Sequence, residues 1–150
     1  MMEAKEMIKT FCERLGIQSE ANAEGIYAFE VDSFEFAIHD LSEQHRIALV
    51  GDLGMIPEAH PEGLFRLMLE AQHGFRETKG ATFSIDRERE RLSLCQVLSC
   101  AELDNDVFFK EVEHFVNQLE AWTQIIRDYE GKKESVEISS DALDLYQMMV

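Results

Sequence analysis

Seven apolar side chains, Phe108, Val112, Phe115, Leu119, Trp122, Ile126 and Tyr129, recur at alternating four- and three-residue spacing late in the chain. That period puts them on one side of a single long helix, from about Asp106 to Tyr129. Such a stripe needs an apolar surface beneath it. About three heptads also suit a coiled-coil seam. The chain carries five strand-like segments that need a helix to cover them, so packing on a sheet is the stronger expectation. Asp104 or Asp106 is placed to cap the helix start.

The remaining elements follow from period and punctuation. Ala4, Met7, Ile8, Phe11, Cys12 and Leu15 share a face of a helix over 3–15, with Gly16 as its stop. Residues 18–25 are small and polar, a loop. Three strands follow. Tyr27, Phe29 and Val31 lie on one face of 26–31, and Phe34, Phe36 and Ile38 on one face of 34–41. Asp32-Ser33 is short enough to turn a hairpin between them, although it lacks glycine. The strand 46–53 is apolar on both faces, which places it centrally or under cover on both sides. Pro61 suits the first position of a helix over 61–73. Strands at 81–86 and 91–98 come next, joined by the charged turn Arg87–Glu90. The order α-βββ-α-ββ-α predicts one α+β domain over 1–130, with a five-stranded antiparallel sheet and three helices. Residues 131–150 read as a polar tail, with a short helix near Asp141–Met148.

Charge narrows the function classes. Thirty acidic side chains face fourteen basic ones in 150 residues, a net charge of -16, yet 45% of the residues are hydrophobic. A disordered acidic segment would lack the apolar residues. A nucleic-acid partner would need the opposite sign, and an anionic membrane would repel the chain. Cys12, Cys95 and Cys100 are odd in number and form no Cys-x-x-Cys pair, which fits reduced thiols in a cytosol. The charged opening Met1–Glu6 has no apolar run behind it and does not read as a signal peptide. No apolar stretch approaches a membrane span.

No catalytic or ligand motif stands out. His-Glu-x-x-His, zinc-finger and EF-hand spacings are absent, as are Gly-x-Ser-x-Gly and phosphate-loop patterns. Asp104-Asn105-Asp106 has calcium-ligand residue types but no glycine or later ligands in register, and fits helix-start chemistry better. The expectation is a protein without cofactor or metal. The helix over 61–73 says more. Leu64, Phe65, Leu67, Met68, Leu69 and Ala71 make it apolar nearly all round, so it needs cover on more than one face. Either the chain buries it fully, or one face meets a second copy across a two-fold axis.

The element order and three stretches carry a family resemblance. They are Leu64-Phe65-Arg66-Leu67-Met68-Leu69-Glu70-Ala71-Gln72-His73-Gly74-Phe75, then Thr78–Ile85, then Arg91-Leu92-Ser93-Leu94. With Phe11-x-x-x-Leu15-Gly16 and Trp122, they resemble the class I type III secretion chaperones of the Tir-chaperone group over roughly residues 3–130. Many members have Asn where Gln72 or His73 stands here.

The resemblance implies a small acidic homodimer in the bacterial cytosol, without enzymatic activity. It would hold the extended N-terminal segment of a secreted effector export-competent and meet the secretion apparatus. The alternative is a chaperone-like protein that sequesters a transcriptional regulator. On this reading Phe11, Leu15, Tyr27, Phe29, Phe34 and Phe36 are candidates for the effector-contacting surface, with core packing as the competing role for each. Leu64, Phe65, Met68, Leu69, Phe83 and Leu94 are candidates for the dimer interface.

Overall fold

The computed structural model describes residues 2–132. The expected tail helix near Asp141–Met148 lies outside the described residues, as does all of the expected tail from 133 on. The order is α1 (Ala4–Leu15), β1 (Ile26–Val31), β2 (Phe34–Leu41), β3 (Arg46–Met55), α2 (Glu62–Gln72), β4 (Thr82–Asp86), β5 (Arg91–Ser99) and α3 (Asn105–Lys132). The five strands form one antiparallel sheet in the order β1-β2-β3-β5-β4, with β3 in the middle as its two-sided apolarity predicts. Single 3₁₀ turns lie at Ser42–Gln44, inside the turn that the sequence places at Ser42–His45, and at His73–Phe75 and Cys100–Glu102, where one turn has no apolar period to reveal it. Pro61 sits one position earlier than expected. It is the N-cap residue, and its carbonyl accepts from the Phe65 N–H at 3.0 Å.

The described residues divide into two compact units, 2–51 with Cys95–Asn117, and Asp52–Leu94 with 118–132. In the first, α1 buries Ala4, Met7, Ile8, Phe11 and Cys12. It ends as a Schellman motif on Gly16 (φ +65°), whose N–H donates to Glu13 while the Ile17 N–H donates to Cys12. Phe11 centres an aromatic cluster. Its ring lies 5.8 Å from Phe29, 5.8 Å from Phe108 and 5.7 Å from Phe109. Phe29 stacks on Phe36 at 5.2 Å, and Phe36 meets Phe115 at 6.4 Å. Of the two capping candidates for α3, Asp104 takes the role, accepting from the Val107 N–H at 2.8 Å. Asp106 instead pairs with Arg14 on the surface.

The β1–β2 turn is a two-residue loop with φ of +50° at Asp32 and +69° at Ser33, the left-handed pair that a type I′ turn requires. Asp tolerates that region better than Ser does. Ser33→Gly is expected to stabilise the protein by about 1 kcal/mol, read as a rise of a few degrees in Tm. A fall would show that the Ser33 side chain contributes more than its backbone conformation costs.

In the second unit, Trp122 meets the edge of Phe83 at 4.8 Å. Gly63 on α2 lies directly against Tyr129, so close that a Cβ there would stand 2.1 Å from its hydroxyl. Asp52 and Arg91 form a two-bonded fork at 2.8 and 2.7 Å. Burial pushes the Asp52 carboxyl up, but the Arg91 fork, the Gly54 N–H and the nearby arginine charges outweigh it and hold the pKa below its ordinary value. A depressed pKa stabilises the fold above the unfolded value of about 3.9 and loses that contribution as pH falls through the folded value. Asp52→Asn should therefore lower Tm at pH 7, and the gap to wild type should narrow as pH falls below the unfolded value and through the depressed folded one. A gap that persists unchanged into acid would mean that the fork contributes nothing through its charge.

Candidate functional site

Two surfaces leave apolar or backbone groups uncovered, one in each unit. The first is built on β1, an edge strand. Its register against β2 pairs Tyr27 with Ile38, Phe29 with Phe36 and Val31 with Phe34, so these side chains share the face that carries the aromatic cluster. Phe29 and Phe36 are buried, and Tyr27 and Phe34 are half-buried. Phe11 is only 5% exposed. Leu15, one turn further along α1, is 42% exposed. Phe109 is half-buried, with the Arg14 guanidinium 6.0 Å from its ring centre. Leu15 and Phe109 thus carry the cluster out to the surface, while Phe11, Phe29 and Phe36 form its floor.

The opposite sheet face of this unit carries small residues in register, Ala28 beside Ala37 and Ala37 beside Val50. His39, next to Ala48 on that face, has its pKa lowered by burial, against the opposing pull of Glu24.

The backbone of β1 is only partly free. The Asp40 N–H donates to Gly25 at 2.9 Å, which fixes the alternation. Odd-numbered residues of β1 bond to β2, and Ile26, Ala28 and Glu30 turn their N–H and C=O groups to the open edge. The chain's own loop takes the first part of that edge. Asn22 donates its N–H to the Ile26 carbonyl at 3.0 Å and accepts from the Ile26 N–H through Oδ1 at 3.0 Å. Ser19 Oγ donates to the Ala28 carbonyl at 3.2 Å. What stays open is the Ala28 N–H and both groups of Glu30. The sequence marked 18–25 as a polar loop but did not reveal this cover, which rests on two side chains reaching back to β1.

The second surface is on α2. Leu64, Leu67, Met68 and Ala71 are buried within the chain. Leu69 is 64% exposed, and Phe65, four residues before it on the same ridge, is half-buried. Phe75, Ile85 and Met55 of this unit are also exposed. Leu94 is fully buried and Phe83 half-buried. Of the residues expected at a dimer interface, the structure thus leaves Leu69 and part of Phe65 and Phe83 accessible and places Leu64, Met68 and Leu94 in the core. At the far edge of the sheet, the Phe83 N–H donates to Gln72 Oε1 at 2.6 Å, so the side chain of Gln72 blocks β4 against strand pairing there.

Cys12 and Cys100 are buried and Cys95 half-buried, and none of the three is in a disulfide. Burial raises the pKa of Cys12 and Cys100, which disfavours the reactive thiolate. A shallow cavity of about 400 Å³ beside Cys100 is lined by Met2, Glu3, Ala4, Lys5, Ser42 and His45. Among the described residues, no three His, Cys, Asp or Glu side chains gather as a metal-ligating group. No helix among them is long and apolar enough to cross a membrane.

The sequence matches the model of the Tir chaperone protein (CesT) family over residues 6–123. No curated protein matches it significantly. Among solved structures, a chain of the ExsC–ExsE complex superposes with a TM-score of 0.71 at 20% identity, covering 82% of this chain and 96% of that one. A chain of the HopA1–SchA chaperone–effector complex gives 0.63 at 16% identity, covering 80% and 92%. A chain of the ExoU–SpcU type III secretion complex of Pseudomonas aeruginosa gives 0.54 at 18% identity, covering 89% and 98%.

Proposed function

The chain belongs to the Tir chaperone (CesT) family, and from that premise we propose that it is a homodimeric type III secretion chaperone of the bacterial cytosol, binding the extended N-terminal segment of a secreted effector. It acts by binding alone, without enzymatic chemistry. The observation that carries this reading is the partly open edge of β1 beside an aromatic cluster that surfaces at Leu15 and Phe109. An extended segment satisfies main-chain groups at such an edge, and its alternate side chains enter apolar pockets. Bound there, the segment is kept from folding, which is what export through a narrow channel needs.

Three further features support the proposal. The Phe65–Leu69 ridge of α2 offers a face for a second copy. Gln72 blocks the β4 edge and leaves β1 as the edge open to a guest strand. The charge of -16 keeps a protein with exposed apolar surface from self-associating beyond the dimer.

The test is affinity capture from the native cytosol followed by limited proteolysis. A secreted protein should be recovered, with its N-terminal segment protected and the remainder digestible. Recovery of a transcriptional regulator instead would favour sequestration, and recovery of no partner would count against both readings.

A further inference from the structure

The open part of the β1 edge carries an electrostatic mismatch. Glu30 stands directly opposite Glu35 on β2. The alternation of the ladder makes this a non-hydrogen-bonded pair, the kind in which cross-strand side chains come closest. Like charges in that position destabilise a sheet. Both side chains are exposed, and among the described residues neither has a salt-bridge partner. Glu30 also owns most of the free backbone of the edge, because Asn22 and Ser19 cover Ile26 and the Ala28 carbonyl. A local rule is thus broken at the same residue where the sheet is open to a guest strand, and such departures concentrate at functional positions.

We infer that the segment received by β1 carries a lysine or arginine at the position opposite Glu30, where it pairs with Glu30 and offsets part of the charge of the Glu30–Glu35 pair. A guest residue directly across from Glu30 projects its side chain to the same sheet face as both carboxylates. A cation there adds a close attractive contact to Glu30 and, one strand further in, a weaker one to Glu35, which offsets the like-charge contact between them, and it leaves the guest's alternate apolar residues for the aromatic side. Glu30 and Glu35 are then selectivity determinants. The main-chain bonds are indifferent to sequence, and the carboxylate pair distinguishes a basic residue from an acidic one at one register position. This rests on the strand-addition reading above.

The probe is a displayed library of random twelve-residue segments, selected on the wild-type protein and in parallel on Glu30→Lys and Glu35→Lys variants. Wild type should enrich segments with Lys or Arg at one fixed position within an alternating apolar pattern. Both variants should lose that enrichment, and a selected peptide remade with Glu at the position should bind about three- to fivefold more weakly to wild type. Alternating apolar segments without a fixed basic position would overturn the charge assignment and leave strand addition standing. Failure to select any segment would overturn both. Independently of any ligand, Glu35→Gln should raise the Tm of the free protein, and a fall would show that the pair carries no repulsion to relieve.

Discussion

Leu69→Glu is expected to halve the mass of the particle, from about twice 17.3 kDa to a single chain, with little change in its circular dichroism. Leu69 is 64% exposed within its own chain, so a carboxylate there stays hydrated in the monomer. A two-fold interface repeats the substitution on both sides, and each copy would then desolvate a charge with no partner. That costs several kcal/mol, enough to dissociate a micromolar dimer. Met68→Glu, one residue away, should behave differently. Met68 is 3% exposed, so the charge enters the chain's own core and the variant should lose its cooperative melt. Light scattering on both variants and on wild type separates the cases. A wild-type monomer at micromolar concentration would remove the dimer, and a dimer unaffected by Leu69→Glu would move the interface off this ridge.

Phe11→Ala should cost about 3–5 kcal/mol of stability, a large share of the 5–15 kcal/mol typical of a domain. Its ring touches Phe29, Phe108 and Phe109 and has little exposed surface. Leu15→Asp should change stability by less than about 1 kcal/mol yet weaken capture of the effector segment severalfold. Denaturant melts and a binding isotherm on the two variants read the two effects. If Leu15→Asp binds as wild type does, this end of α1 is not part of the binding surface.

Phe11 and Leu15 also show where sequence reading stops. Both belong to one apolar stripe, and period alone assigns them the same face. Period says which way a face points, but not how far along the helix its cover extends. Met68 and Leu69 are adjacent and point in different directions, but on a helix apolar nearly all round period names no inner face. β1 and β2 were legible because their apolar residues alternate, and the register that pairs Phe29 with Phe36 follows from a two-residue turn. The half-covered edge was not legible. It depends on Asn22 and Ser19 reaching back to β1, and a polar loop residue does not announce its acceptor. The Gln72 bond to Phe83 spans eleven residues and leaves no periodic trace. Glu30 and Glu35 read as ordinary solvent-facing residues until the register sets them opposite each other.

Amide hydrogen exchange on the protein, alone and loaded with the N-terminal segment of the protein it captures, tests the central claim most directly. The Ala28 and Glu30 amides point to the open edge and should exchange fast in the free protein. Loading should slow both strongly, while the Phe83 amide, already bonded to Gln72, stays unchanged. A loaded complex in which the Ala28 and Glu30 amides exchange as they do in the free protein would contradict binding at this edge.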